Sequence, residues 1–374
     1  MMLKVGIVGA RGLSSVAGFR DIEDVELTAL CDLDEELLKR ESAKYGIKHT
    51  YRVYEDMLMS DLDAVVIATP MQLHVPQAML ALRAGKHVMS EVTAGVTMDE
   101  LFWLVEEVEK SGKVYMMAEN YLYTPEAQQV LAMARAGLFG EPYYGEGEYL
   151  HNVTSLITYP DGKPSWRSWW QLGRRGIFYP THSLGPVMKW FGDDHIETVV
   201  AMGSGWHARP DLMQEDTNVG LLQMKSGKLI RLRVDCISNR PHSMMNYTLQ
   251  GTRGVYESPR IPGGDHVVSF LPEGGDPEKM TWEKLENYRE YLPQRYKDFL
   301  AADRNAGHGG GDYFVVKDFV DAVRGIQEPA VSVYDACEWT AVALLSEMST
   351  ANGGKAMTMP DFRAKEKKDK HVVL

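Results

Sequence analysis

A chain of 374 residues exceeds the length over which one hydrophobic core keeps growing, so two domains are expected; 44% hydrophobic and 25% charged residues is the composition of a water-soluble globular protein. A formal net charge of -12 excludes nucleic acid as a partner, because neutralising phosphates takes clustered Lys and Arg. Three widely spaced cysteines, Cys31, Cys236 and Cys337, suggest neither a disulfide framework nor a thiolate metal site. They point to a reducing cytoplasm, and the sequence offers neither a secretory leader nor a segment long and apolar enough to span a membrane.

In chain order, LKVGIV (3–8) is a short apolar strand that ends in GARG, after which SSVAGF can begin a helix. VELTALCD (25–32) is a second strand, and DEELLKRESAKYG has helical spacing closed by Gly46. DAVVIATP (63–70) is a third, buried strand, and VPQAMLALRAG a helix that stops at Gly85. HVMSE, TMDELFWLVEEVEKSG and VYMMAEN then continue as strand, helix and strand. Strands alternating with helices predict a doubly wound parallel sheet covered on both faces, spanning residues 1–122. From about residue 125 the texture changes. A helix, PEAQQVLAMARAG, is followed by EPYYGEGEYLH, a Trp-rich stretch and alternating strands such as VGLLQM, KLIRLRVDC and MNYTLQG. Residues 123–362 therefore read as an α+β domain on a mostly antiparallel open sheet. Its Gly- and Pro-rich segment 262–311 reads as an excursion, two helices close the domain, and 363–374 reads as a polar tail.

Gly9 and Gly12 in the first turn, with Arg11 between them, let the backbone turn tightly and bring N–H groups towards a pyrophosphate. The match to G-x-G-x-x-G lacks one glycine, and a plain strand-to-helix turn would also fit. Asp32, 20 residues after Gly12 at the end of the second strand, decides for dinucleotide binding in a Rossmann domain. A carboxylate there accepts ribose hydroxyls and repels a 2'-phosphate, so NAD is expected over NADP. In ATPMQLH (68–74), Thr69, Pro70 and His74 lie beyond a strand's carboxyl end, where ligands bind in open α/β sheets; Thr69-Pro70 serves equally as a tight turn and His74 as a helix-start residue.

ATP with His74 after it, GKHVMSEV, and GHGGGD (307–312) followed by a helix and VYDACEW resemble the Gfo/Idh/MocA oxidoreductases over roughly residues 3–362. In most members this strand ends Glu-Lys-Pro, and that lysine contacts nicotinamide and substrate and helps move a proton. Here the positions are Glu91, Val92 and Thr93, and a valine neither ionises nor donates a side-chain hydrogen bond. Proton handling must therefore lie elsewhere. YPTHSLGP (179–186) offers Tyr179 and His182 on one helix face; GEGEYLHN offers Tyr149 and His151 on one side of a strand; and Glu119 and Asn120 close another strand. A buried Tyr and a backbone-satisfied His would also account for the first pair.

EVTAG, MAENYLY, GEGEYLH, YPTHSLGP and GHGGGDY are more closely similar to the NAD-dependent glycosidase branch, whose best-known member acts on alpha-N-acetylgalactosaminides. That branch also replaces the lysine by valine. The resemblance implicates Glu119, Tyr149, Tyr179 and His182 as catalytic; we assign Tyr179 as base and His182 as relay or leaving-group assistant. It implies NAD as cofactor, with Gly9, Arg11, Gly12, Asp32, Thr69, Pro70, His74, Glu91 and Asn120 around it. The implied reaction is glycoside hydrolysis by transient oxidation at C3, elimination of the C1 substituent, water addition and re-reduction. Thr93, where that branch has proline, and LGRRGIF before YPTH are departures, and the second leaves the sugar open. His151, Trp166, Arg167, Arg174 and Arg175 are candidate substrate contacts: Trp faces stack on sugars and Arg clamps carboxylates, while an aromatic interface with solvated arginines is an equal alternative. Inward-pointing arginines would indicate an acidic sugar. No metal-ligand spacing occurs and none is expected. A homodimer or homotetramer is the family-level expectation. A net sugar, sugar-acid or cyclitol dehydrogenase and a non-catalytic NAD-binding sensor are the competing functions.

Overall fold

The computed structural model describes residues 2–302, 307 and 310–364. The chain begins β1 (Leu3–Val8), α1 (Val16–Arg20), β2 (Val25–Cys31), α2 (Glu35–Tyr45), β3 (His49–Tyr51), α3 (Tyr54–Leu58), β4 (Ala64–Ile67), α4 (His74–Arg83), β5 (His87–Ser90), α5 (Met98–Ser111) and β6 (Tyr115–Met117). These strands form one sheet in the order β3-β2-β1-β4-β5-β6, with every pair parallel. All four residues of β4 are buried, as a central strand covered on both faces requires. The helices stop and start where their sequence signals stand. The Asp34 carboxylate caps α2 through the Leu37 N–H at 3.0 Å and Gly46 ends it at φ 62°, while Thr97 and Glu100 form a capping box on α5. One element differs from expectation: a 3-10 turn over Ala10–Ser15 precedes α1, which is only five residues long.

The chain continues with α6 (Pro125–Arg135), β7 (Pro142–Leu150), α7 (Arg167–Trp170), α8 (Thr181–Phe191), β8 (Ile196–Gly203), β9 (Asn218–Met224), β10 (Leu229–Asp235), β11 (Ser243–Gly251), β12 (Gly254–Glu257), β13 (Val267–Phe270), β14 (Glu283–Lys284), α9 (Gln294–Ala301), α10 (Gly311–Val323), α11 (Val333–Ala351) and β15 (Met357–Thr358). A nine-stranded sheet runs β14-β13-β12-β11-β7-β10-β9-β8-β15. It is mixed: β7 and β10 pair in parallel at its centre and every other pair is antiparallel. The segment read as an excursion supplies two strands of this sheet, β13 and β14, as well as α9.

The described residues form two compact units. The first comprises residues up to Asn120, from 307 to Thr340 and from Asp361; the second comprises residues from Tyr121 to 302 and from Ala341 to Pro360. Within the first unit α10 packs with α1. A Cβ on Gly18 of α1 would lie 2.9 Å from Val316 Cβ, and the Tyr313 phenol donates to Asp21 at 2.8 Å. Of the tail expected at 363–374, Arg363 is paired with Asp335 and Glu338 in the first unit, beside the buried Phe362, and 365–374 lie outside the described residues.

In the second unit α8 lies directly on β7. A Cβ on Gly147 would fall 1.9 Å from the Ser183 carbonyl oxygen, and one on Gly145 would fall 2.4 Å from a Val187 methyl. Only glycine admits the backbone of α8 this close to the strand. Replacing Gly147 by Ala is expected to cost at least about 2 kcal/mol through overpacking against backbone, read as a lower urea midpoint at an unchanged slope.

Candidate functional site

In the first unit the carboxyl ends of β1, β4, β5 and β6 open a crevice lined by Gly12, Ser14, Ser15, Glu91, Ala118 and Asn120. Asp312, from α10, also borders it. The turn below is shaped by its two glycines. Gly9 has φ 89°, and a Cβ there would stand 2.4 Å from the Ala68 carbonyl oxygen; one on Gly12 would stand 2.7 Å from Ile7 Cγ2. Neither position admits a side chain, so the turn lies tight against the ends of β1 and β4, the close approach that a dinucleotide-binding turn requires. Asp32 accepts the Ala10 N–H at 3.0 Å and the Asp34 N–H at 3.1 Å, so a carboxylate is held rigidly at the end of β2, where a ribose would be met. Arg11 reaches Glu91 at 4.0 Å across the crevice mouth.

Thr69 and His74 act on backbone and neighbouring side chains. Thr69 Oγ1 donates to Gln77 at 2.6 Å. The buried His74 ring faces the Thr93 carbonyl through Nδ1 at 2.7 Å and the Thr69 carbonyl through Nε2 at 2.8 Å, bracing the loop after β4, which includes Pro70, against the loop after β5. Burial pulls its pKa down, opposed by these carbonyls, which favour the protonated ring. Val92 is buried and the Val92–Thr93 peptide is cis. Glu119 and Asn120 are buried immediately after β6.

In the second unit a cluster of rings forms where β7 ends and α8 begins. Ring centroids are 5.2 Å apart for Tyr179 and His182, and 5.5 Å for Tyr149 with either of them. Tyr121 stands 4.6 Å from His182. The Tyr149 phenol oxygen and His151 Nδ1 share a hydrogen bond at 2.8 Å, and the His151 ring lies 4.5 Å from His242. Tyr179 holds a φ of 118°, a left-handed conformation that costs a side-chain-bearing residue roughly 1–3 kcal/mol and clusters at functional sites. The Tyr247 phenol donates to the His182 carbonyl at 2.6 Å, fixing the first turn of α8. Burial, with Tyr179, Cys236 and Tyr121 nearby, raises the Tyr149 pKa well above its ordinary value, opposed by Arg167. Burial lowers His151 to about 4, with His242, Arg167 and His182 adding to the effect. Near neutral pH this pair is thus a protonated phenol hydrogen-bonded to a neutral imidazole.

The Trp- and Arg-rich stretch divides. Arg167 stands 4.4 Å over the Trp166 ring, donates to Gln171, and acts electrostatically on Tyr149 and His151. Arg174 binds Glu347 through Nε at 3.0 Å and lies over Phe178; Arg175 binds Glu215 at 3.0 Å and lies over Trp206. These two guanidiniums have carboxylate partners within the second unit, so only Arg167 is brought to the ring cluster. Trp169 is 57% exposed.

With this geometry in view, residues 3–119 match the family model described as "Oxidoreductase family, NAD-binding Rossmann fold", and residues 123–206 and 193–369 match "Glycosyl hydrolase 109, C-terminal domain". The chain belongs to glycosyl hydrolase family 109. Its first unit carries an NAD-binding Rossmann domain, and its cofactor is NAD. Glycosyl hydrolase family 109 proteins of Shewanella pealeana and Solibacter usitatus are 32% and 31% identical to it over 96% of this chain, and the alignments cover 85% and 88% of those proteins. An NAD binding oxidoreductase from Klebsiella pneumoniae has the same fold at TM-score 0.81 and 21% identity, covering 96% of this chain and 99% of the other. A scyllo-inositol dehydrogenase from Lactobacillus casei, solved with NAD(H) and scyllo-inositol, superposes at TM-score 0.73 and 17% identity, covering 96% and 99%. Membership in this family makes the chain an NAD-dependent enzyme.

Among the described residues no group of three or more His, Cys, Asp or Glu could hold a metal ion, and no helix is long and apolar enough to cross a membrane. The three cysteines are buried and unbonded to one another. Sequence reasoning missed Tyr121, His242 and Asp312. Tyr121 sits within MAENYLY but looks like any core aromatic, and His242 reaches His151 only because Ser243 pairs with Leu150 across β11 and β7.

His151 binds a proton more weakly folded, at about 4, than unfolded, near 6.5. The unfolded chain therefore holds the extra proton between these values, so its contribution is complete above about pH 6.5 and is lost as pH falls through about 4. His151→Asn is expected to flatten the acid limb of a stability–pH curve in that window.

Proposed function

We propose that this chain is an NAD-dependent glycoside hydrolase that works by transient oxidation at C3, elimination of the C1 substituent, water addition and re-reduction. The observation that carries the reading is the buried Tyr149–Tyr179–His182 cluster, which gathers proton-handling groups where the first unit offers only the buried Val92 in place of a lysine. The Gly9–Gly12 turn and Asp32 would hold NAD, which would supply a reversible hydride acceptor for C3, and a ketone there would acidify the proton on C2. Tyr179 removes the C2 proton. His182 relays protons or assists the departing oxygen at C1, so the aglycone leaves as an alcohol; water then adds at C1 of the enone and a proton returns to C2. Tyr149 keeps its proton and is hydrogen-bonded to His151, which holds the phenol in place beside the other two rings. Glu119 is the remaining candidate carboxylate, Asn120 and Glu91 border the cofactor crevice, and Arg167 with Trp166 is the candidate sugar contact. Since Arg174 and Arg175 already have carboxylate partners, they give no support for an acidic sugar.

A conventional sugar or cyclitol dehydrogenase is the second reading, favoured by the likeness in fold to dehydrogenases. Incubation with nitrophenyl α- and β-glycosides in heavy water separates the two. The expected result is nitrophenol release, no net NADH and deuterium at C2 of the product. Stoichiometric NADH without nitrophenol would establish the dehydrogenase, and NAD binding with neither turnover nor C2 exchange would leave only a sensor. His182→Ala is expected to retain NAD and lose about 100-fold or more in turnover; unchanged turnover would remove His182 from the mechanism.

A further inference from the structure

The motif GHGGGD (307–312) contributes nothing to the mechanism above, yet its described residues are built around one contact. Asn120 Nδ2 donates to Asp312 Oδ1 at 2.8 Å, and both side chains are buried on the crevice at the ends of the parallel strands. Glycines permit that approach. A Cβ on Gly311 would fall 2.4 Å from the Asn120 carbonyl oxygen, one on Gly307 would fall 2.3 Å from Asp312 Oδ2, and Gly310 holds φ 98° at the start of α10. An ionised carboxylate only accepts hydrogen bonds, so it selects the amide orientation with the NH2 group towards α10 and Oδ1 directed away from it. Among the described residues Asn120 Oδ1 has no hydrogen-bond partner, although the residue is only 3% exposed. A buried acceptor left this way is costly unless a ligand meets it.

From this geometry we infer that Asp312 is a positioning residue for the dinucleotide: it locks the Asn120 amide so that Oδ1 meets an N–H or O–H donor of the bound cofactor. The inference rests on the reading of Asn120 as a cofactor contact. Two groups of NAD offer such donors, the nicotinamide carboxamide and the ribose hydroxyls. Losing Asp312 frees the amide to flip and present its NH2 group, which replaces attraction by a mismatch.

The test is direct binding of NADH, followed by nucleotide fluorescence, to protein freed of nucleotide, for Asp312→Asn, Asn120→Ala and the double variant. Asp312→Asn and Asn120→Ala are each expected to weaken NADH binding about tenfold. The double variant is expected to be no weaker than Asn120→Ala alone, because Asp312 acts through Asn120. Multiplying losses in the double variant, or full affinity in Asp312→Asn, would overturn the inference. Full affinity in Asn120→Ala would instead overturn the reading of Asn120 on which it rests. Repeating the cycle with reduced 3-acetylpyridine adenine dinucleotide, which lacks the carboxamide N–H, separates the donors. Loss of the Asn120→Ala effect with this analogue assigns the carboxamide, and its persistence assigns a ribose hydroxyl. Should Asp312→Asn not fold, as judged by circular dichroism, Asp312→Ser takes its place in the same cycle.

Discussion

The second unit depends on one close approach, that of the first turn of α8 to the backbone of β7 at Gly147. The distance is so short that no side chain fits between the strand and the Ser183 carbonyl. Because Tyr149 stands two residues further along the same strand, and Tyr179 and His182 flank the start of the helix, this one contact sets the spacing of the three rings. The unfavourable φ of Tyr179 belongs to the same constraint: the chain must turn sharply to enter a helix pressed against a strand, and surrounding packing holds a conformation that an isolated tyrosine would leave.

The first unit solves a similar problem with the opposite emphasis. Its turn after β1 is held tight by Gly9 and Gly12, where a side chain would strike the Ala68 backbone or Ile7. A single carboxylate, Asp32, ties that turn to the end of β2 through Ala10. The imidazole of His74 braces two neighbouring loops from below, and α10 closes the crevice with Asp312. The result is a rigid crevice whose carboxylates suit the hydroxyl donors of a ribose.

Charge in the second unit is arranged to leave one cation near the rings. Arg174 and Arg175 are each neutralised by a glutamate, whereas Arg167 acts on both Tyr149 and His151. Burial is what keeps the Tyr149 phenol protonated and the His151 imidazole neutral; Arg167 opposes the first and reinforces the second.

Much of this organisation is legible in the amino-acid sequence. The alternation of strands and helices, the cap residues of α2 and α5 and the Gly9–Asp32 pairing are local patterns, and local patterns follow from backbone sterics and hydrophobic periodicity. The valine at 92 and the YPTH stretch likewise point away from the usual lysine and towards the second unit. What sequence alone leaves open is decided by contacts between distant segments. That Arg174 meets Glu347 and Arg175 meets Glu215, that His242 arrives beside His151, that α10 belongs with the first unit, and that β7 and β10 run parallel all depend on which surfaces pack together. Periodicity specifies which face of an element is buried, but the partner of that face is selected by the shape and polarity of the whole core.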